Sequence, residues 1–249
     1  MIALPTRHME QRLPMTIQER LAHLDWKAIE GSLWQRGYAK TDPFLTVEEC
    51  EKLIAHYDKE KYFRSRIEMR RFRFGEGEYK YLKYPFPPLI QALREHVYPR
   101  LVVVANAWSK ALGEPVHFPM SLDHFLTICH QHGQTKPTPL ILYYTAGGYN
   151  CLHQDLYGEV AFPLQLTVFL SRPDRDFTGG EFLLVEQRPR AQSRGHALTP
   201  EQGAVVIFST RYRPAQGTRG YYRVNMRHGV STVHSGKRFT LGVIFHDAK

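Results

Sequence analysis

His153-Gln154-Asp155 sets an imidazole and a carboxylate two residues apart. In an extended segment such positions point to the same side, so both groups converge on one point. His228 lies 73 to 75 residues beyond this triplet and can supply a third ligand from a neighbouring strand. Two histidines and one carboxylate on one face leave three coordination positions open, an arrangement that suits non-haem iron(II). An isolated H-x-D is also the pattern of a histidine beside an Asx turn. The distal histidine and the residues beyond it therefore carry the weight.

Arg238 follows His228 by ten positions. Its guanidinium is permanently charged and offers a planar fork, so it can pair bidentately with the distal carboxylate of a co-substrate such as 2-oxoglutarate. Thr240 faces the same way two residues on and can donate its hydroxyl to that carboxylate. For His228 and Arg238 to face one interior across a hairpin, the connecting loop must hold an odd number of residues, and Ser235-Gly236-Lys237 is predicted to be that loop. Other histidines rank lower as third ligand. His130 and His132 fall at a predicted helix end, where a cation suits the dipole. His234 sits in the predicted turn, and His246 comes after the arginine.

H-x-D, a distal histidine and a basic residue ten positions later resemble the prolyl-hydroxylase-like branch of the iron(II) and 2-oxoglutarate dependent dioxygenases. Arg238-Phe239-Thr240 is also similar to the R-x-S/T co-substrate motif of the wider superfamily, and the resemblance spans roughly Leu140 to His246. Tyr144-Thr145-Ala146-Gly147 resembles the Y-x-x-G segment that precedes H-x-D in that branch, which implies Tyr144 as a second co-substrate contact. More narrowly, His153 to Glu159, Gly179-Gly180-Glu181-Phe182, Gln187-Arg188-Pro189-Arg190 and Arg227 to Ser231 look like a bacterial oxygenase family described as acting on damaged DNA by oxidative demethylation.

The resemblance implies a metal triad of His153, Asp155 and His228, with Arg238, Thr240 and Tyr144 on 2-oxoglutarate. It also implies O2 as oxidant, and hydroxylation or oxidative demethylation with release of succinate and CO2. The ten-residue interval departs from the longer one of DNA demethylases, so a prolyl or other amino-acid side chain is the alternative substrate. A metal-binding jelly roll of cupin type without oxidation is a further alternative, although it has no need of a buried arginine behind the metal.

These residues need a β scaffold, and the sequence changes texture where one is required. Before Thr138 it reads helical: Thr16 with Glu19 and Thr46 with Glu49 are capping boxes, Asp25 can cap a helix ending at Gly37, and a long helix should follow Pro88. From Leu140 onward, Leu140–Thr145, Phe162–Ser171, Glu181–Val185, Ala204–Thr210, Tyr221–Val233 and Arg238–His246 are β-branched and aromatic runs divided by Gly, Pro, Asp and Ser. This predicts a mainly β fold with N-terminal helices, a double-stranded β-helix or jelly roll covered by helices on one face. All 249 residues are expected to form one domain.

Lys61 to Tyr84 holds eight Lys or Arg against three Glu, interleaved with aromatics. Alternation around Gly75-Glu76-Gly77 predicts a basic hairpin, either a lid that stacks and neutralises an anionic substrate or an edge hairpin packed on the sheet. Gln187 to Arg194 and Arg211 to Arg223 read as solvated loops, and the spacing of Gln165 and Glu181 assigns them no role. A net charge of +9 favours anionic partners such as nucleic acid. Cys50, Cys129 and Cys151 show no CxxC spacing and suit a reducing cytoplasm. Residues 1–15 lack a signal-peptide core and no stretch is long enough to span a membrane, so a cytoplasmic protein is expected.

Overall fold

The computed structural model describes residues 15–249, and most of the N-terminal segment read above for an export signal lies outside them. Both capping boxes form: Thr16 and Thr46 accept from the amides of Glu19 and Glu49, whose carboxylates reach back. They open α1 (Ile17–Ala22) and α3 (Val47–Ile54), and Asp25 caps α2 (Trp26–Arg36), which stops at Gly37. The helix predicted after Pro88 is α4 (Pro88–Ala111), whose Ile90, Leu93, Val97, Leu101 and Trp108 are all buried. α5 (Leu122–Gln131) completes the helical set. None of these helices is long and apolar enough to cross a membrane.

Fourteen strands occur among the described residues: β1 (Tyr38–Lys40), β2 (Phe63–Glu68), β3 (Gly75–Glu76), β4 (Glu78–Leu82), β5 (Leu140–Thr145), β6 (Tyr149–His153), β7 (Leu164–Phe169), β8 (Phe177–Gly179), β9 (Phe182–Gln187), β10 (Arg194–Leu198), β11 (Val205–Ser209), β12 (Tyr212–Gly217), β13 (Gly220–Val230) and β14 (Val233–Val243). The larger sheet runs β1-β11-β7-β14-β5-β4-β2 with β8 on β14, and the smaller runs β10-β9-β13-β6-β3 with β12 on β13. Every strand pair within them is antiparallel.

One face of the larger sheet carries Ile141, Leu166, Val168, Val205, Ile207, Leu241 and Val243, and these merge into one core with residues of all five helices. That is the predicted mainly β jelly roll with helices over one face. The opposite face looks toward the smaller sheet, and the space between the sheets holds the site.

Three local expectations change. Ser235-Gly236-Lys237 is not a turn but lies within β14, so His228 and Arg238 sit on strands of different sheets rather than on two arms of a hairpin. The chain does not reverse there: it runs on through Ser231-Thr232 from the smaller sheet into the larger, antiparallel to β6 and then to β5, with a register irregularity between Val233 and Ser235. His228 and Arg238 nevertheless face one interior, although no hairpin turn joins them.

Gly75-Glu76 is likewise no hairpin tip. β2 and β4 pair as an edge of the larger sheet, their chain reverses through a 3₁₀ turn at Met69–Phe72, and β3 crosses to pair with β6 in the smaller sheet. Much of Arg211 to Arg223 is the β12–β13 pair and not a solvated loop, with Arg213 buried against Glu186 at 2.6 Å.

Candidate active site

The β6–β13 register sets His153 directly opposite His228, with ring centroids 4.2 Å apart. Asp155 follows β6 by two residues and turns to the same side. Its Oδ2 lies 3.1 Å from His228 Nε2 and its Oδ1 3.5 Å from His153 Nε2. The three ligand atoms lie within 4.8 Å of one another, close enough to share one metal ion.

His153 Nδ1 sits 2.7 Å from the Cys151 carbonyl, which can only accept, so Nδ1 carries the proton and Nε2 presents a lone pair to the cluster. Burial, reinforced by the adjacent His153, pushes His228 toward its neutral form, the form in which an imidazole ligates. Burial opposes charge on Asp155, but the two histidines beside it outweigh that and hold the carboxyl well below its usual range.

Two further side chains orient that carboxylate. Tyr157 Oη donates to Asp155 Oδ1 at 2.9 Å and Gln165 Nε2 donates to Oδ2 at 2.8 Å. Sequence spacing assigns neither of them a role, yet both leave a trace there. Tyr157 continues the two-residue alternation of His153 and Asp155, and Gln165 is an uncharged polar residue inside the apolar run of β7.

Arg238 lies beyond the triad, only 1% exposed, and none of its three side-chain nitrogens has a hydrogen-bond partner among the described residues. Its guanidinium carbon lies 5.6 Å from the Tyr144 ring, 5.5 Å from Phe169 and 5.8 Å from Phe177. This apolar burial pulls its pKa down to about 10. A buried cation without hydrogen bonds is costly, which marks the place as built for an anion. Gly180 makes the arginine's position possible: its backbone is left-handed (φ +63) and a Cβ there would stand 2.9 Å from Arg238 Cδ.

Thr240, two residues along β14, is buried and shares with Arg238 and the triad the walls of one cavity of about 390 Å³. Tyr144 pairs with Arg238 across β14 and β5; its hydroxyl is buried with no hydrogen-bond partner among the described residues, and Tyr144 is not among the residues that line the cavity.

The other histidines weighed as third ligand stand elsewhere. His130 faces Asp247 at 3.0 Å, and His132 bonds the Ile128 carbonyl at the end of α5. His234 lies against Gly179, and His246 accepts from the Phe162 amide. The residues present therefore fit iron(II), through two neutral imidazoles and a carboxylate, and fit a dicarboxylic acid, through the partnerless arginine behind them.

A double-stranded β-helix with this His-Asp-His cluster and a buried arginine defines the iron(II) and 2-oxoglutarate dependent oxygenases. A family model described as an oxygenase catalysing oxidative methylation of damaged DNA matches residues 77–248, and the chain belongs to that family. An uncharacterized protein of Mycobacterium tuberculosis strain H37Rv is 51% identical over 164 residues, 66% of this chain and 70% of its own length.

Among solved structures, an oxidoreductase of the 2OG-Fe(II) oxygenase family from Burkholderia pseudomallei superposes with a TM-score of 0.54 at 13% identity, covering 91% of this chain and 94% of that one. A Pseudomonas putida prolyl-4-hydroxylase gives 0.51 at 13% identity, covering 87% and 96%. At such identities the likeness is one of fold.

Proposed function

We propose that His153, Asp155 and His228 hold iron(II), that Arg238 grips the distal carboxylate of 2-oxoglutarate, and that the enzyme uses O2 to oxidise an alkyl carbon on nucleic acid. The observation that carries this reading is the Arg238 guanidinium, buried in the same cavity as the triad without a hydrogen-bond partner among the described residues.

Iron(II) with 2-oxoglutarate supplies the oxidation that converts a C–H bond to C–OH, with succinate and CO2 released. The protein's contribution is positional. Gln165 and Tyr157 fix the plane of the Asp155 carboxylate, and the Cys151 carbonyl fixes the tautomer of His153. Thr240 offers a hydroxyl beside Arg238, and Tyr144 backs the guanidinium, its ring 5.6 Å from the guanidinium carbon. Leu142, Phe182 and Phe208 in the cavity wall exclude water from the reacting centre. Where the oxidised carbon is an N-methyl group, the hydroxylated product releases formaldehyde, so one site serves hydroxylation and demethylation.

Substrate class rests on the family description and on the +9 charge. The ten-residue interval from His228 to Arg238 favours the second reading, an amino-acid or prolyl side chain.

Succinate formation by anaerobically iron-loaded protein on admission of oxygen tests the first part. Native protein should release succinate when offered a methylated oligonucleotide, His228→Ala should lose iron and activity together, and Arg238→Ala should keep iron but lose 2-oxoglutarate affinity by 100-fold or more, about 3 kcal/mol. Unchanged 2-oxoglutarate affinity in Arg238→Ala would remove the arginine from the co-substrate. Turnover of a prolyl peptide but of no nucleic acid would move the substrate to the second reading.

A further inference from the structure

Phe74, Leu152 and Leu156 line the cavity and remain 47%, 42% and 46% exposed. Phe72, 53% exposed, stacks on Phe74 with ring centroids 5.6 Å apart and planes 20° from parallel. Two phenyl rings stacked on each other and left open to water, beside the entrance to a reactive centre, form a surface that a further flat ring can extend.

The chain holds this pair firmly. Met69, fully buried, closes the 3₁₀ turn and packs with Tyr144 and Val233. The Phe74 carbonyl accepts from Cys151 and Gly75-Glu76 pairs with Asn150 and Tyr149, so the segment is fastened to the strand that carries His153.

The charge around the pair is more selective than the sequence suggests. Arg66 is paired with Glu78, Arg70 with Glu76 and Arg71 with Glu68, while Arg64 donates to the Pro137 carbonyl. Arg73 differs: it lies between the two phenylalanines in a left-handed backbone conformation (φ 60), lines the cavity, and has no side-chain hydrogen bond or carboxylate partner among the described residues. A strained non-glycine backbone beside a reactive cavity is characteristic of functional segments.

We infer that Phe72, Arg73 and Phe74 form the platform that receives single-stranded or extruded nucleic acid, a base stacking on the Phe72–Phe74 pair while Arg73 meets one backbone phosphate. This rests on the proposed nucleic-acid reading and adds to it the residues that select an unpaired strand. A base inside a duplex has no free face to offer the platform, and its reacting carbon cannot reach the cavity.

The test uses full-length protein loaded anaerobically with iron(II) and 2-oxoglutarate, and a fluorescein-labelled single-stranded DNA of about a dozen nucleotides. Phe72→Leu and Phe74→Leu keep apolar bulk but remove the ring. Each should weaken single-strand binding about ten-fold without changing its salt dependence. Arg73→Gln should reduce the slope of log affinity against log salt by about 0.7, one phosphate contact.

Retained 2-oxoglutarate binding in each variant shows that the barrel is intact. Unchanged single-strand affinity in both leucine variants overturns the platform while leaving the nucleic-acid reading standing. Equal losses on the matched duplex overturn it too, because the rings would then be touching a paired strand. Failure of the native protein to bind any nucleic acid, with succinate formed from a peptide, overturns the reading beneath it.

Discussion

Asp155 is the most constrained side chain in the site. Both of its oxygens face an imidazole, and each also receives a hydrogen bond, from Tyr157 or from Gln165. A carboxylate held from two sides cannot rotate, so under the proposed function it would offer a metal one fixed orientation. Hydrogen bonds of this kind commonly contribute about ten-fold or more to metal affinity. Gln165→Leu and Tyr157→Phe are each expected to weaken iron(II) binding by about that factor. Anaerobic titration with cobalt(II) as a spectroscopic substitute should show an altered visible band. Unchanged affinity in both variants would mean that the imidazoles alone orient Asp155.

Among the elements, the crossing from the larger to the smaller sheet at β3 has the largest consequence for function. Only a residue without a Cβ can make it. At Gly75 (φ +140) an added Cβ would overlap the Tyr149 carbonyl, which is backbone and cannot move aside cheaply. Gly75→Ala should therefore cost roughly 1–3 kcal/mol in urea unfolding. It should also speed hydrogen exchange at the Cys151 amide, whose acceptor is the Phe74 carbonyl. Retained protection at Cys151 would show that the crossing tolerates a side chain.

This element was only half legible in the sequence. Alternation on both sides of Gly75 gave the two arms, β2 and β4, and the basic and aromatic composition allowed either a substrate lid or an edge hairpin. Composition does not say which arginines already have partners, and most of those here pair with glutamates brought close by folding. The helices were easier to read, because capping boxes and apolar spacing act within a few residues of each other.

At the scale of the molecule, the C-terminal residues bind the helical layer to the sheets. Asp247 receives hydrogen bonds from Arg94 of α4 and from Tyr84, and faces His130 of α5. His246 beside it is fully buried and accepts from the Phe162 amide. Burial pulls His246 from its ordinary 6.5 down to about 4. The folded protein keeps it neutral where the unfolded chain takes up a proton, so the unfolded state binds more protons between those two values and stability falls as pH drops through that window.

The full loss is roughly 3 kcal/mol. His246→Asn, which keeps an acceptor for Phe162, should flatten the fall in metal-free protein between pH 6.5 and 4. An unchanged slope in urea unfolding would assign the acid sensitivity to other groups.

The sequence by itself determined the residue types and their local facing. His153 and Asp155 share a side because strands alternate every two residues, and Arg238 and Thr240 share one for the same reason. It also determined the helix starts and the change from helical to β texture. What it could not determine was which strands pair. That His228 meets His153, that Arg238 lies on the other sheet, and that Gln165 and Tyr157 reach Asp155 all depend on hydrogen-bond registers between segments far apart in the chain. Those registers are set by the packing of the whole barrel, and they carry Arg238 onto the other sheet without the turn that Ser235-Gly236-Lys237 suggested.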